Sequence, residues 1–195
     1  MGNFRRRLMM QRKAGILPAG YTQLEYIERD ASNQGYINTG IKMMHTYAMT
    51  LDFNPVTLGD YIPLWGGEYF SLTSRTRSKL YLLNFSTRST SVNDLLSAGQ
   101  WYHVVLDNMS LNIDGRTFKG GTTDDTYTFL LMNNQRYKRQ SYSQVAYFKV
   151  SIGDAMLMEL IPARRNSDSV VGMYDLVSNK FITPTGGTVK AGPKV

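Results

Sequence analysis

The sequence predicts an all-β domain, a sandwich or a barrel, on three observations. Short segments of alternating apolar residues recur along the chain between Gly, Asn and Asp turns, and no sustained helical period interrupts them in the body. The 13 Tyr and 8 Phe favour strands, because aromatic side chains pack well on a pleated surface. A length of 195 residues, 42% of them hydrophobic, suits one sandwich-sized unit with a substantial core.

Residues 1–16 read as a basic arm, and residues 17–195 as the domain. Arg5, Arg6, Arg7, Arg12 and Lys13 fall in the arm without one acidic residue. The net charge is +7, so without these five the remainder stands at only +2. A charge concentrated in an arm points to attachment; a basic balance over the whole fold would point to nucleic acid. Phe4, Leu8, Met9 and Met10 fall near helical spacing between the arginines. The arm therefore predicts a short amphipathic helix, with a frayed basic tail as the competing reading. Leu8-Met9-Met10 is cut short by Gln11-Arg12-Lys13, which argues against a secretory signal, and no eighteen-residue apolar run predicts a membrane-spanning helix.

Leu17 to Gly20 is a linker by its Pro and Gly content. Strands are predicted at Thr22 to Glu28 and Gln34 to Ile41. The clearest is Tyr47 to Phe53, where Tyr47, Met49, Leu51 and Phe53 alternate with Ala48, Thr50 and Asp52 until Pro55 ends the run. Further strands are Tyr61 to Trp65, Tyr69 to Thr73, Leu80 to Phe85 and Gln100 to Leu106. Asp114-Gly115 predicts a tight hairpin within Ser110 to Phe118. Tyr127 to Met132, Val145 to Ile152, Met156 to Ile161, Gly172 to Leu176 and Lys180 to Thr183 complete about a dozen strands, the last two joined by a Ser178-Asn179 turn.

Three segments resemble one family. Leu17-Pro-Ala-Gly-Tyr-Thr-Gln-Leu-Glu-Tyr-Ile27 followed by Gly35-Tyr-Ile-Asn-Thr-Gly-Ile41 forms the opening. Trp101-Tyr-His-Val-Val105 with Leu111-Asn-Ile-Asp-Gly115 forms the middle. Ile161-Pro-Ala-Arg-Arg-Asn-Ser-Asp168, Val171-Gly-Met-Tyr-Asp-Leu176 and Lys180-Phe-Ile-Thr183 form the ending. Together they resemble the concanavalin A-like, laminin-G-like jelly-roll proteins found in phages and prophages of gut Bacteroidales and in large bacterial surface proteins. The resemblance implies two antiparallel sheets face to face. It also implies a role in adhesion, virion decoration, head or tail fibres, or glycan binding; it does not imply enzymatic activity, and no cofactor is expected.

The residues agree with a non-catalytic reading. The chain has no Cys and only two histidines, His45 and His103, so thiolate metal sites and Cys–His chemistry lack their parts. His103 reads as structural within a strand, and His45 as a solvated loop residue. Glu25, Glu28, Glu68 and Glu159 include no pair at i, i+2 or i, i+4 on one strand, which disfavours glycosidase chemistry. Asp124, Asp125, Asn133 and Asn134 could donate to calcium, but Arg136, Lys138 and Arg139 oppose a cation, and ordinary turn residues are the better reading.

Two clusters are the glycan-binding candidates. One is Trp65 and Tyr69 beside the basic turn of Arg75 and Arg77. The other is Arg136, Tyr137 and Tyr142. Core packing is the preferred reading for both Trp65 and Trp101, with Trp65 the candidate platform should its ring be exposed. Arg164, Arg165 and Asp168 are read as a hydrogen-bonded turn that fastens the last strands, and Asp175 as a second fastening.

The expectation is a non-enzymatic virion structural or decoration protein. Its arm residues Phe4, Arg5, Arg6, Arg7, Leu8, Met9 and Met10 would bury in another virion protein, and a symmetric homo-oligomer would suit such a role. Neither specific nucleic acid nor membrane insertion is expected. The predicted location is the virion, assembled in the host cytoplasm. The alternative is a carbohydrate-binding module on a bacterial cell surface, taking host glycans.

Overall fold

The computed structural model describes residues 15–59, 62–67, 71–76, 79–83, 92–93, 96–107, 110–119, 124–125, 127–133 and 142–195. The arm helix predicted within residues 1–14 lies outside this set. Among the described residues every regular element is a strand. In chain order these are β1 (Tyr21–Gln23), β2 (Ile27–Arg29), β3 (Ile37–Lys42), β4 (Ala48–Pro55), β5 (Ile62–Gly66) and β6 (Ser71–Thr76). Then come β7 (Lys79–Leu83), β8 (Val92–Asn93), β9 (Tyr102–Asp107), β10 (Ser110–Ile113), β11 (Arg116–Lys119) and β12 (Thr128–Leu131). The last five are β13 (Ser143–Ile152), β14 (Ala155–Arg165), β15 (Val171–Asp175), β16 (Lys180–Ile182) and β17 (Lys190–Ala191).

They form two antiparallel sheets, an all-β sandwich as the sequence predicts. The larger sheet runs β11-β10-β9-β4-β13-β14-β15-β16, with β1 on β14 and β2 between β13 and β17. The smaller runs β3-β12-β5-β6-β7-β8.

Strand alternation sets the faces. Met49, Leu51 and Phe53 of β4 pair with Leu106, Val104 and Tyr102 of β9, and all six point into the core. On the other side of β4, Phe148 and Val150 of β13 oppose Leu51 and Met49. The two sheets meet through aromatic rings. Phe129 of β12 stacks on Phe148 with centroids 5.4 Å apart. Phe53 meets Trp65 of β5 edge to face at 6.4 Å.

Turn chemistry closes the hairpins. Asp114 and Gly115 take positive φ of 50° and 90° between β10 and β11, as a two-residue turn requires. Asn179, with φ 56°, turns β15 into β16. Arg165 grips Asp168 with two guanidinium nitrogens, the fork expected of this turn. The Asp175 carboxylate accepts from the backbone N–H groups of Glu159, Val177 and Ser178 and from the Ser178 hydroxyl.

Several elements differ from expectation. The strand expected over Thr22 to Glu28 is two, β1 on β14 and β2 between β13 and β17. β14 continues through Pro162 to Arg165, because β15 pairs with it from Leu160 to Arg164 and β1 from Ala163 to Arg165. β13 begins two residues before Val145, where Ser143 and Gln144 pair on both sides, with β2 and β4.

The C-terminal segment returns to the N-terminal strands. β17 pairs with β2, Leu24 bridges Lys194, and Tyr36 bridges Thr185. The backbone of Gly35 donates to the Thr188 carbonyl at 2.7 Å, so close that a Cβ at Gly35 would lie 2.6 Å from that oxygen.

Candidate functional site

The residues of the larger sheet that alternate with its core positions form its outer face. This face divides into a covered half and an open half. In the covered half, Ile161 and Ala163 of β14 and Tyr174 of β15 are shielded by Leu17, Tyr21, Tyr147, Leu176 and Phe181. The Tyr21 ring meets Tyr174 at 4.9 Å and Phe181 at 5.5 Å, and the Arg165 guanidinium lies over Phe181. The segment just after the arm is thus packed down on this half.

The open half is polar. Glu28, Gln144 and Asn54 are neighbours in register across β2, β13 and β4. The Asn54 amide donates to Gln144 Oε1 at 2.9 Å, and the Gln144 amide donates to Glu28 Oε2 at 2.6 Å. Lys190 stands 3.8 Å from the other Glu28 oxygen. Asn54 is 6% exposed, and its buried Oδ1 has no hydrogen-bond partner. One step along the sheet, the buried Asp52 carboxylate lies 2.6 Å from Nδ1 of the exposed His103. A bulge between Val145 and Tyr147 re-aims β13, and the Tyr147 hydroxyl donates to Glu159 Oε1 at 2.8 Å.

Two half-buried aromatics flank the amide row. Trp101 immediately precedes Tyr102, which faces the core opposite Phe53, so alternation brings Trp101 out beside Asn54. Tyr26 precedes Ile27 in the same way and shares the face of Glu28. Their rings meet with centroids 5.8 Å apart at an interplanar angle of 53°. Gly192 makes room for Tyr26, since a Cβ there would come within 2.9 Å of its ring.

These contacts correct several sequence expectations. Trp65 is 1% exposed, sealed by Phe53 and by Phe129, whose centroid is 5.8 Å away, so its ring offers no platform to a glycan. Trp101, expected in the core, is half-buried on the outer face. Tyr142 is half-buried at the entrance to β13, and its carbonyl accepts from Val56 and Thr57. Arg75 falls on β6. Tyr69, Arg77, Arg136 and Tyr137 lie outside the described residues, as do the arm residues Phe4, Arg5, Arg6, Arg7, Leu8, Met9 and Met10.

His45, read as solvated, is tied to Asp124, whose Oδ1 accepts from the His45 backbone N–H at 2.6 Å and lies 2.9 Å from its Nδ1. These contacts hold the Asp124 carboxyl below its usual range. Among the described residues no group of three His, Cys, Asp or Glu side chains is placed to hold a metal.

The open half is hard to see as a site in the sequence, where Trp101 reads as core when taken apart from its neighbours. His103 and Trp101 share parity within the strand predicted at Gln100 to Leu106, so a polar residue facing outward at 103 implies an outward ring at 101.

Comparison with protein-family models, curated proteins and solved structures finds no match to this chain.

Proposed function

We propose that this protein is a non-enzymatic recognition module, displayed on a phage virion as a decoration or fibre-associated protein, and that the open half of its larger sheet contacts glycan. The observation that carries this reading is the Tyr26–Trp101 pair beside the Glu28–Gln144–Asn54 row. Tyr and Trp offer an apolar ring face with little entropy to lose, and side-chain amides and carboxylates offer both signs of hydrogen bond to sugar hydroxyls. The virion setting rests on the resemblance of the three sequence segments and on the basic arm.

A binding role fits the carboxylates better than hydrolysis does. Of the described glutamates on this face, Glu28 pairs with Gln144 and Glu159 with Lys149, backbone positions about 15 Å apart along β13. That is a wide spacing for side chains that would have to bring their carboxyls to the about 5–9.5 Å of a glycosidase pair.

Deleting residues 1–16 tests the setting. The expected result is a folded domain that no longer enters the particle, and normal incorporation of the truncated chain sinks the anchoring role. A glycan array tests recognition, and a flat response from folded protein argues against it. Should the array respond while particles lack the protein, the cell-surface carbohydrate-binding reading takes its place.

A further inference from the structure

The open half carries an inference about ligand chemistry that rests on the glycan reading above. We infer that this face selects neutral sugars bearing adjacent hydroxyls, and rejects sulfated, sialylated or uronic-acid glycans. Among the described residues, the charged groups closest in register to the aromatic pair are the carboxylates Glu28 and Asp52, both with little exposure, together with Lys190 beside Glu28 and the exposed His103 imidazole 2.6 Å from Asp52. Lys190 is turned to Glu28. Each cation-capable partner is already engaged by one of these carboxylates, and among the described residues no guanidinium fork stands in register with them. An incoming carboxylate or sulfate would therefore add like charge at a partly desolvated site, which is costly.

The hydrogen-bonding pattern also suits hydroxyls. A hydroxyl both donates and accepts, whereas a carboxylate or sulfate only accepts. The row presents Glu28 as an acceptor and Gln144 and Asn54 with one donor and one acceptor group each. Asn54 Oδ1 is an acceptor left unfilled. A buried polar atom without a partner is costly, and a ligand O–H that reached it after a small side-chain shift would relieve that cost. An anionic oxygen brings no proton to it. The ring faces of Tyr26 and Trp101 would take the C–H face of a pyranose.

The experiment titrates the full chain with neutral oligosaccharides (gluco-, manno- and galacto-hexasaccharides) and with acidic ones (hyaluronan, heparin and sialylated hexasaccharides). The expected result is measurable affinity for at least one neutral ligand, at least tenfold weaker affinity for every acidic one, and little change between 50 and 500 mM salt. Gln144→Ala and Trp101→Ala should each weaken the neutral ligand at least tenfold, and Trp101→Phe should restore most of the loss, which separates the contact from a folding defect. If an acidic ligand binds more tightly, with steep salt dependence and loss in Trp101→Ala, the neutral preference is overturned while the glycan reading survives. Arg136, Lys138 and Arg139, on the segment before Tyr142, make that arm necessary. Neutral binding unaffected by both alanine variants overturns the assignment to this face. No binding in either set overturns this inference together with the reading beneath it.

Discussion

The two halves of the larger sheet's outer face present different chemistry on one surface. Where β14 and β15 present Ile161, Ala163 and Tyr174, the chain covers them with its own Leu17, Tyr21 and Phe181. Where β2, β13, β4 and β9 present Glu28, Gln144, Asn54 and His103, no such apolar cluster forms among the described residues; the side chains bond laterally to one another, with two rings left half-open. Tyr147 stands on the border, its ring packed toward the covered cluster and its hydroxyl on Glu159. An apolar sheet face gains by being covered, at about 25 cal/mol per Å² removed from water, whereas a laterally bonded polar face gains little. A pair of large aromatics retained on the uncovered half is therefore the exception that invites a ligand.

Substitutions should separate the halves. The largest loss of stability is expected in the covered half: Tyr174→Ala should cost about 3 kcal/mol, read by urea denaturation, because it empties the centre of the ring cluster. Glycan affinity of the folded fraction should not change, and a parallel loss of affinity would mean the two halves act as one. Gly172→Ala comes next. A Cβ there would lie 2.3 Å from the Ile182 carbonyl oxygen, so β16 must shift away from β15, at about 2 kcal/mol.

On the open half the order reverses. Trp101→Ala should cost only about 1 kcal/mol of stability, the scale of a half-exposed aromatic pair, while removing binding. A cost comparable to that of Tyr174→Ala would identify Trp101 as a packing residue.

The smallest effect concerns pH. Hydrogen bonds from Arg165 hold the Asp168 carboxyl below its ordinary range. Its folded pKa is depressed, so the stabilisation is present above the unfolded value and is lost as pH falls through the folded one. Asp168→Asn should therefore be less stable than the parent near neutrality and converge with it in acid. Parallel stability–pH curves would show that the pair at the rim of the covered half contributes nothing.

Much of the sandwich was legible because the strongest signals were local. The Tyr47 to Phe53 alternation became β4, and Asp114-Gly115 became the β10–β11 turn. The Arg165–Asp168 fork and the Asp175 turn could be anticipated because both partners lie within three residues of each other. The site was illegible for the opposite reason. Tyr26 and Trp101 are joined only through the register of four strands, and the Glu28–Gln144 bond spans 116 residues. Trp65 and Trp101 look alike in sequence, each near one end of a predicted strand. The parity of His103 points the Trp101 ring outward, and Tyr102 opposing Phe53 establishes it.

The return of the C-terminal segment bears on how the protein is made. Leu24 bridges Lys194, the Glu25 N–H donates to the Pro193 carbonyl, and β2 is flanked by β13 and β17. A ribosome delivers β2 first and its last partner some 160 residues later, so the sandwich cannot close until that stretch has been made. Until residue 194 emerges, β4 and the strands that follow it hold apolar faces without their full complement of neighbours. Such long-range pairing folds slowly and exposes strand edges meanwhile. Yield in the cell should depend on how well the nascent chain is kept from its copies during that interval.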